Sequence, residues 1–147
     1  VYVVPHGQNL TEIRERGVER LTCIICKRLM YRVAERIAEL EHAEGIVTGE
    51  VIGEHASQTL PNLRVLTSAI QHPIYRPLLG LDKVQIEQLA RKIGTYELST
   101  QPVTECTAVP RRPSTRARLV EVEEVERRLD IWGMVERSLK SMRVLHV

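Results

Sequence analysis

The 147-residue sequence has no phenylalanine, one tryptophan and four tyrosines. So sparse an aromatic set argues against a platform on which single-stranded bases stack. No apolar run approaches the ~20 residues of a membrane span, and the first residues lack the basic-then-apolar order of a secretory signal. The expectation is a protein that is neither membrane-bound nor exported. Cysteine is scarce too, with Cys23, Cys26 and Cys106 only. An odd count cannot pair fully, which excludes a disulfide framework and points to a reducing cytoplasm. Charge of one sign is not in excess: 21 Lys and Arg against 19 Asp and Glu leave a formal +2, too little to imply nucleic-acid binding by itself. An initiator methionine is also lacking, and the chain starts inside a strand-like run, so it reads as a piece of something longer.

What is present, 43% hydrophobic and 27% charged residues, fits one soluble globular domain. Val1-Tyr2-Val3-Val4, stopped by Pro5 and Gly7, reads as a buried strand. Asn9, three residues before Glu12, reads as the cap of a short helix. Apolar residues at 21, 25, 29, 33, 37 and 40 predict a long amphipathic helix over about 21–41. A second strand is expected at 45–50, a helix over 56–70 kinked or split by Pro61, and a brief third strand at 74–77. Asp82 caps a helix that Gly94 ends. A long irregular segment, 95–116, carries Cys106, and two helices follow, over about 116–129 and 131–144, broken near Asp130. Strands alternating with helices indicate an α/β layer with a parallel sheet. Ligands bind such sheets at the carboxyl ends of strands, so the turns at Pro5-His6-Gly7, Thr48-Gly49-Glu50 and Arg76-Pro77 are expected to line one site.

Cys23 and Cys26 sit one turn apart at a helix start, with Lys27 and Arg28 beside them, an arrangement that favours thiolate. A C-x-x-C pair is compatible with redox exchange, zinc, an iron-sulfur cluster, or simply two buried small residues. No histidine lies at finger-like spacing, which makes zinc the weaker metal. The glycines of Thr48-Gly49-Glu50-Val51-Ile52-Gly53 stand between strand and helix, where backbone N–H groups meet nucleotides or merely turn the chain. Arg111, Arg112, Arg116 and Arg118 form the densest basic patch, fit to hold phosphates or to face solvent. The acidic run Glu121, Glu123, Glu124 and Glu126 reads as the wet side of a helix.

Several ordered motifs, 27–35 (Lys27 to Glu35), Ile46-Val47-Thr48-Gly49-Glu50 with Ala56-Ser57-Gln58-Thr59-Leu60, 76–83 (Arg76 to Lys83) and Ile93-Gly94-Thr95, closely resemble the ThiI family of tRNA 4-thiouridine synthetases, also called tRNA sulfurtransferases or thiamine biosynthesis proteins. The resemblance implies a partial Rossmann-like parallel sheet with flanking helices, of the PP-loop or adenine nucleotide α-hydrolase type. Residues 1–115 would be the C-terminal part of that ATPase domain and 116–147 a helical extension of it. It further implies ATP with Mg as cofactor, uridine adenylation, and displacement of AMP by a sulfur nucleophile on tRNA.

Carried over by position, Lys27, Gly49 and Gln58 match ATP-contacting residues and Cys106 the catalytic cysteine; separately, Arg111, Arg112 and Arg116 of the basic patch are candidate RNA contacts. Cys23 and Cys26 would assist. With Cys106 they resemble the three cysteines that hold an iron-sulfur cluster in archaeal-type members, whose fourth iron is left for incoming sulfide. The alternative is a persulfide on Cys106 resolved by Cys23 or Cys26. The sulfur donor would be sulfide or a persulfide carrier. The family's Ser-Gly-Gly-x-Asp-Ser loop, its N-terminal RNA-binding region and the middle strands of its sheet are not in this sequence, so a missing segment or a partner chain is expected to complete the site. Val51, Glu54 and His55 depart from the family turn, Glu54 adding repulsion toward a triphosphate. The rival readings are a non-catalytic RNA-binding remnant and a thiol-disulfide protein.

Overall fold

The longest helix, α2 (Thr22–Leu40), organises the rest. Its apolar stripe supplies Ile24, Ile25, Leu29 and Val33 to the core, and helices pack against that stripe from several sides. The computed structural model describes residues 1–103 and 106–146. Before α2 come β1 (Tyr2–Val3), α1 (Gly7–Arg16) and a 3₁₀ turn at Glu19–Leu21. After it come β2 (Ile46–Val47), a 3₁₀ turn at Ala56–Gln58, α3 (Leu60–Thr67) and β3 (Ile74–Tyr75). Then follow α4 (Lys83–Lys92), α5 (Tyr96–Ser99), α6 (Leu119–Arg128), α7 (Ile131–Ser141) and β4 (Arg143–Val144).

The local signals behave as their chemistry dictates. Pro61 splits the 56–70 region: it sits in the first turn of α3, where its missing N–H costs nothing, and Thr59 caps that helix. Asp82 and Gln85 form a reciprocal capping box at α4, and Gly94 closes that helix at φ 78°. Asp130 caps α7 and sets the break after α6.

β2 and β3 pair in parallel, Ile46 opposite Ile74, so both chains leave the sheet at the same end. Among the described residues, β1 does not join them. It pairs antiparallel with β4, Tyr2 opposite Val144, so the last helix stops at Ser141 instead of running to 144. Beside β1, Val4, Met30, Val33 and Ile37 line an apolar hollow of about 240 Å³.

Two expectations need correction. Asn9 does not cap α1, which begins at Gly7. Its side chain is buried, donating to Ser138 Oγ at 2.7 Å and accepting from Arg137, and so fastens α1 to α7. Glu126 is not on a wet face. It lies one turn beyond Val122 on the buried stripe of α6 and is 9% exposed. Arg28 and Arg32 of α2 each grip it bidentately, at 2.8 and 3.0 Å and at 2.7 and 2.9 Å. Burial alone would raise the Glu126 carboxyl, but the two guanidinium groups outweigh it and hold the pKa below the ordinary value. Ala117, Val122, Val125, Met134 and Val135 share one core with α2, so the helices after residue 116 pack on the rest of the chain.

Candidate functional site

The first turns of α2 bring the sulfur chemistry together. Cys23 is its second residue and Cys26 stands one turn further, both partly buried, while Cys106 is exposed. The expectation of favoured thiolates fails for the helix pair. Burial pushes the Cys26 thiol up to about 11, helped by the charges of Cys23 and Cys106, and only weakly opposed by Lys27. Cys23 is raised by the same desolvation and then by Cys106. Arg28 cannot help, since its charge is spent on Glu126 behind the helix. Burial therefore beats the helix dipole here, and protonated, half-buried thiols do not suit a thiol-disulfide exchange pair.

The charge of Cys106 is among the causes that raise both members of the helix pair, and Ala108 lines one hollow with Thr22, next to Cys23. His6, in the turn after β1, completes the neighbourhood with Nε2 3.1 Å from Cys26 Sγ. Burial lowers the His6 pKa, so the ring is neutral. Among the described residues no three His, Cys, Asp or Glu side chains close on a single metal ion.

On the next residue of α2 a second constellation begins. Lys27 Nζ lies 3.1 Å from Glu50 Oε1, in the turn that follows β2. Arg76, following β3, donates to Glu50 Oε2 at 2.7 Å, and the Tyr31 hydroxyl does so at 2.5 Å. Burial would raise the Glu50 carboxyl, yet these donors hold it below the ordinary range. Tyr31 is correspondingly pushed up to about 12 by burial and by Glu50. The turns after β2 and β3 thus converge on α2 as expected, and the turn after β1 reaches it through His6. His6, Glu50 and Arg76 stand in the turns expected to line the site, at strand ends, although no role follows for them from the sequence; Tyr31 carries no local mark. Glu54, which looked repulsive, is exposed and makes no ion pair among the described residues; Glu50 is the carboxylate that meets Lys27.

Gly49 faces open space, with nothing within 4 Å of where a Cβ would stand. Gln58 is buried and its Oε1 accepts from Val51 N at 3.3 Å, so it braces the same turn. Arg111 and Arg112 line a hollow with Glu19 and Arg20, and Arg116 a neighbouring cleft with Arg20 and Arg64. Among the described residues no helix is long and apolar enough to cross a membrane.

Comparison with known proteins points the same way. A probable tRNA sulfurtransferase of Methanosarcina mazei is 45% identical over 144 residues, which is 98% of this chain and 36% of that protein. A probable tRNA sulfurtransferase of Methanocaldococcus jannaschii is 46% identical over 113 residues, 77% of this chain and 30% of that protein. A crystal structure of a 4-thiouridine synthetase in complex with RNA and bound ATP superposes with a TM-score of 0.89 at 35% identity, covering 97% of this chain and 38% of that one. The chain therefore spans about a third of the length of these relatives. The family described as Thiamine biosynthesis protein (ThiI) matches residues 1–131, and the chain belongs to it.

Proposed function

We propose that this chain is the C-terminal part of the ATPase domain of a cytoplasmic tRNA sulfurtransferase that makes 4-thiouridine, with 1–115 as the domain portion and 116–147 its helical extension. A uridine oxygen attacks the α-phosphate of ATP and releases pyrophosphate; a sulfur nucleophile then attacks the activated ring carbon and AMP leaves. Gly49 supplies unhindered backbone to the nucleotide, Gln58 holds that backbone in place, and Lys27 swings from Glu50 to the phosphates, whose charge Mg would help to neutralise. Arg111, Arg112 and Arg116 face the RNA, and Cys106 handles the sulfur.

The observation that carries this reading is that Ala108, two residues from Cys106, lines one hollow with Thr22 at the start of α2, next to Cys23, while Lys27 of the same helix meets the turn after β2. Cys23, Cys26 and Cys106 would hold an iron-sulfur cluster, which supplies an open iron that can carry sulfide. The chain's own residues keep the pair buried, orient Cys26 through His6, and leave Cys106 accessible to a sulfide or persulfide donor. The reading also calls for a pyrophosphate-cradling loop and an RNA-binding segment, from a longer protein or a partner chain.

The test joins the chain to such a segment and supplies ATP, sulfide and tRNA. Formation of 4-thiouridine, lost in Cys106→Ser, is expected; full activity in that variant removes Cys106 from the mechanism. Anaerobic purification followed by an absorption spectrum and iron assay is expected to show a cluster. An iron-free, colourless and active protein rules it out.

A further inference from the structure

A cleft of about 980 Å³ opens between the starts of α3 and α6. Leu60 and Pro61 from the first turn of α3 and Leu119 from the first turn of α6 form part of its wall, so two helix N-termini face it. Four arginines line it: Arg20, Arg64, Arg116 and Arg118. Arg20 is paired with Glu121, but Arg64, Arg116 and Arg118 are exposed and have no ion pair among the described residues. Three uncompensated cations in one concave wall repel one another, and the helix ends add positive potential of the same sign. An anion relieves both.

The backbone that carries these arginines is fixed in advance. Asn62, fully buried, accepts from Ala117 N at 2.8 Å and donates to Ser114 O at 2.8 Å and Ala56 O at 2.7 Å. Ser114 N donates to Arg20 O at 2.9 Å, and Thr59 Oγ1 to Thr115 O at 2.6 Å. The cleft is a formed site on ordered backbone and loses little freedom on binding.

It also leads somewhere. Arg20 is shared with the hollow lined by Arg111 and Arg112, and Glu19 of that hollow is shared with a third, lined by Arg14, Thr22 and Ala108. Thr22 adjoins Cys23, and Ala108 lies two residues from Cys106. An extended polyanion seated in the cleft is therefore led along arginines to the thiols. Open shape, basic lining and the lack of any aromatic side chain in the wall suit a phosphodiester backbone better than stacked bases.

We propose that the α3–α6 cleft is a phosphate anchor for the RNA substrate, in which Arg64 and Arg118, with Arg116, hold backbone phosphates and aim the strand at the cysteines. This rests on the tRNA reading above. The test is fluorescence anisotropy of a labelled tRNA transcript titrated with the 147-residue chain at a series of salt concentrations. Arg64→Gln and Arg118→Gln are each expected to weaken binding and flatten the slope of log affinity against log salt by about 0.7 to 0.9. Arg91→Gln, outside the cleft, should leave both unchanged. Unaltered melting temperatures separate lost contacts from lost folding.

Wild-type affinity and slope in both Arg64→Gln and Arg118→Gln overturn the anchor, as does a failure of the unaltered chain to bind tRNA. Competition by ATP alone that depends on Arg64 and Arg118 also overturns it, because the cleft is then a nucleotide site. Thiolation by the assembled enzyme is read separately: its absence sinks the sulfurtransferase reading, whereas its presence with unaffected variants sinks only the anchor.

Discussion

His6 Nε2 lies 3.1 Å from Cys26 Sγ and ties the turn after β1 to the second turn of α2. The contact leaves Cys26 the more shielded of the two helix thiols, with its pKa at about 11, while Cys106 stays exposed. Limited alkylation with iodoacetamide at pH 7.5, followed by peptide mass mapping, should label Cys106 first, Cys23 next and Cys26 last. His6→Ala should speed labelling of Cys26 specifically. Equal rates at all three thiols would contradict this account of their burial.

The open space at Gly49 separates structural from functional need. Gly49→Ala should change stability by no more than about 0.5 kcal/mol, as for an unhindered surface position. In the assembled enzyme the same methyl should obstruct the approach of ATP. A thermal melt and an ATP-binding titration check the two halves, and unchanged ATP affinity would remove Gly49 from the nucleotide site.

Among the described residues Arg28 and Arg32 have no acidic partner other than Glu126, so Glu126→Gln leaves two buried guanidinium groups uncompensated. The expected cost is about 3 to 5 kcal/mol, measured by urea denaturation. Because folding depresses the Glu126 pKa, its contribution is fully present above the ordinary value of 4.5 and is lost as pH falls through the lower folded value. The wild-type protein should therefore lose stability on acidification below that point, and the variant should lose less.

Asn62→Ala removes the side chain that holds 114–117 against α3. A loss of about 1 to 3 kcal/mol is expected from the groups it orphans. Trypsin should also cut faster after Arg111 and Arg116. An unchanged cleavage pattern would show that the segment is held by other contacts.

Much of the helical framework was legible because its signals are local: Asp82 and Gln85 cap α4, Pro61 starts α3, and the 21–41 stripe buries one face of α2. The C-x-x-C pair is visible in the sequence as a motif, whereas Lys27, Gly49 and Gln58 are named only through the family resemblance. Residues fixed by distant partners could not. Asn9 looked like a cap but binds Ser138, 129 positions away, and Glu126 looked solvated but answers Arg28 and Arg32 across the core. β4 was read as helix because its only reason to be extended is β1 at the other end of the chain. The thiol ionisation was misjudged for a related cause: the dipole and Lys27 are visible in sequence, while the burial that outweighs them is not.

The meeting of the lone thiol with the helix pair bears most of the functional reading, and it can be trapped directly. In a Cys26→Ser variant only Cys23 and Cys106 remain, and diamide oxidation of dilute protein should join them. Non-reducing peptide mass mapping should then recover an intramolecular Cys23–Cys106 disulfide. Recovery of Cys106 only as free thiol, or only in disulfides between molecules, would contradict a shared sulfur centre.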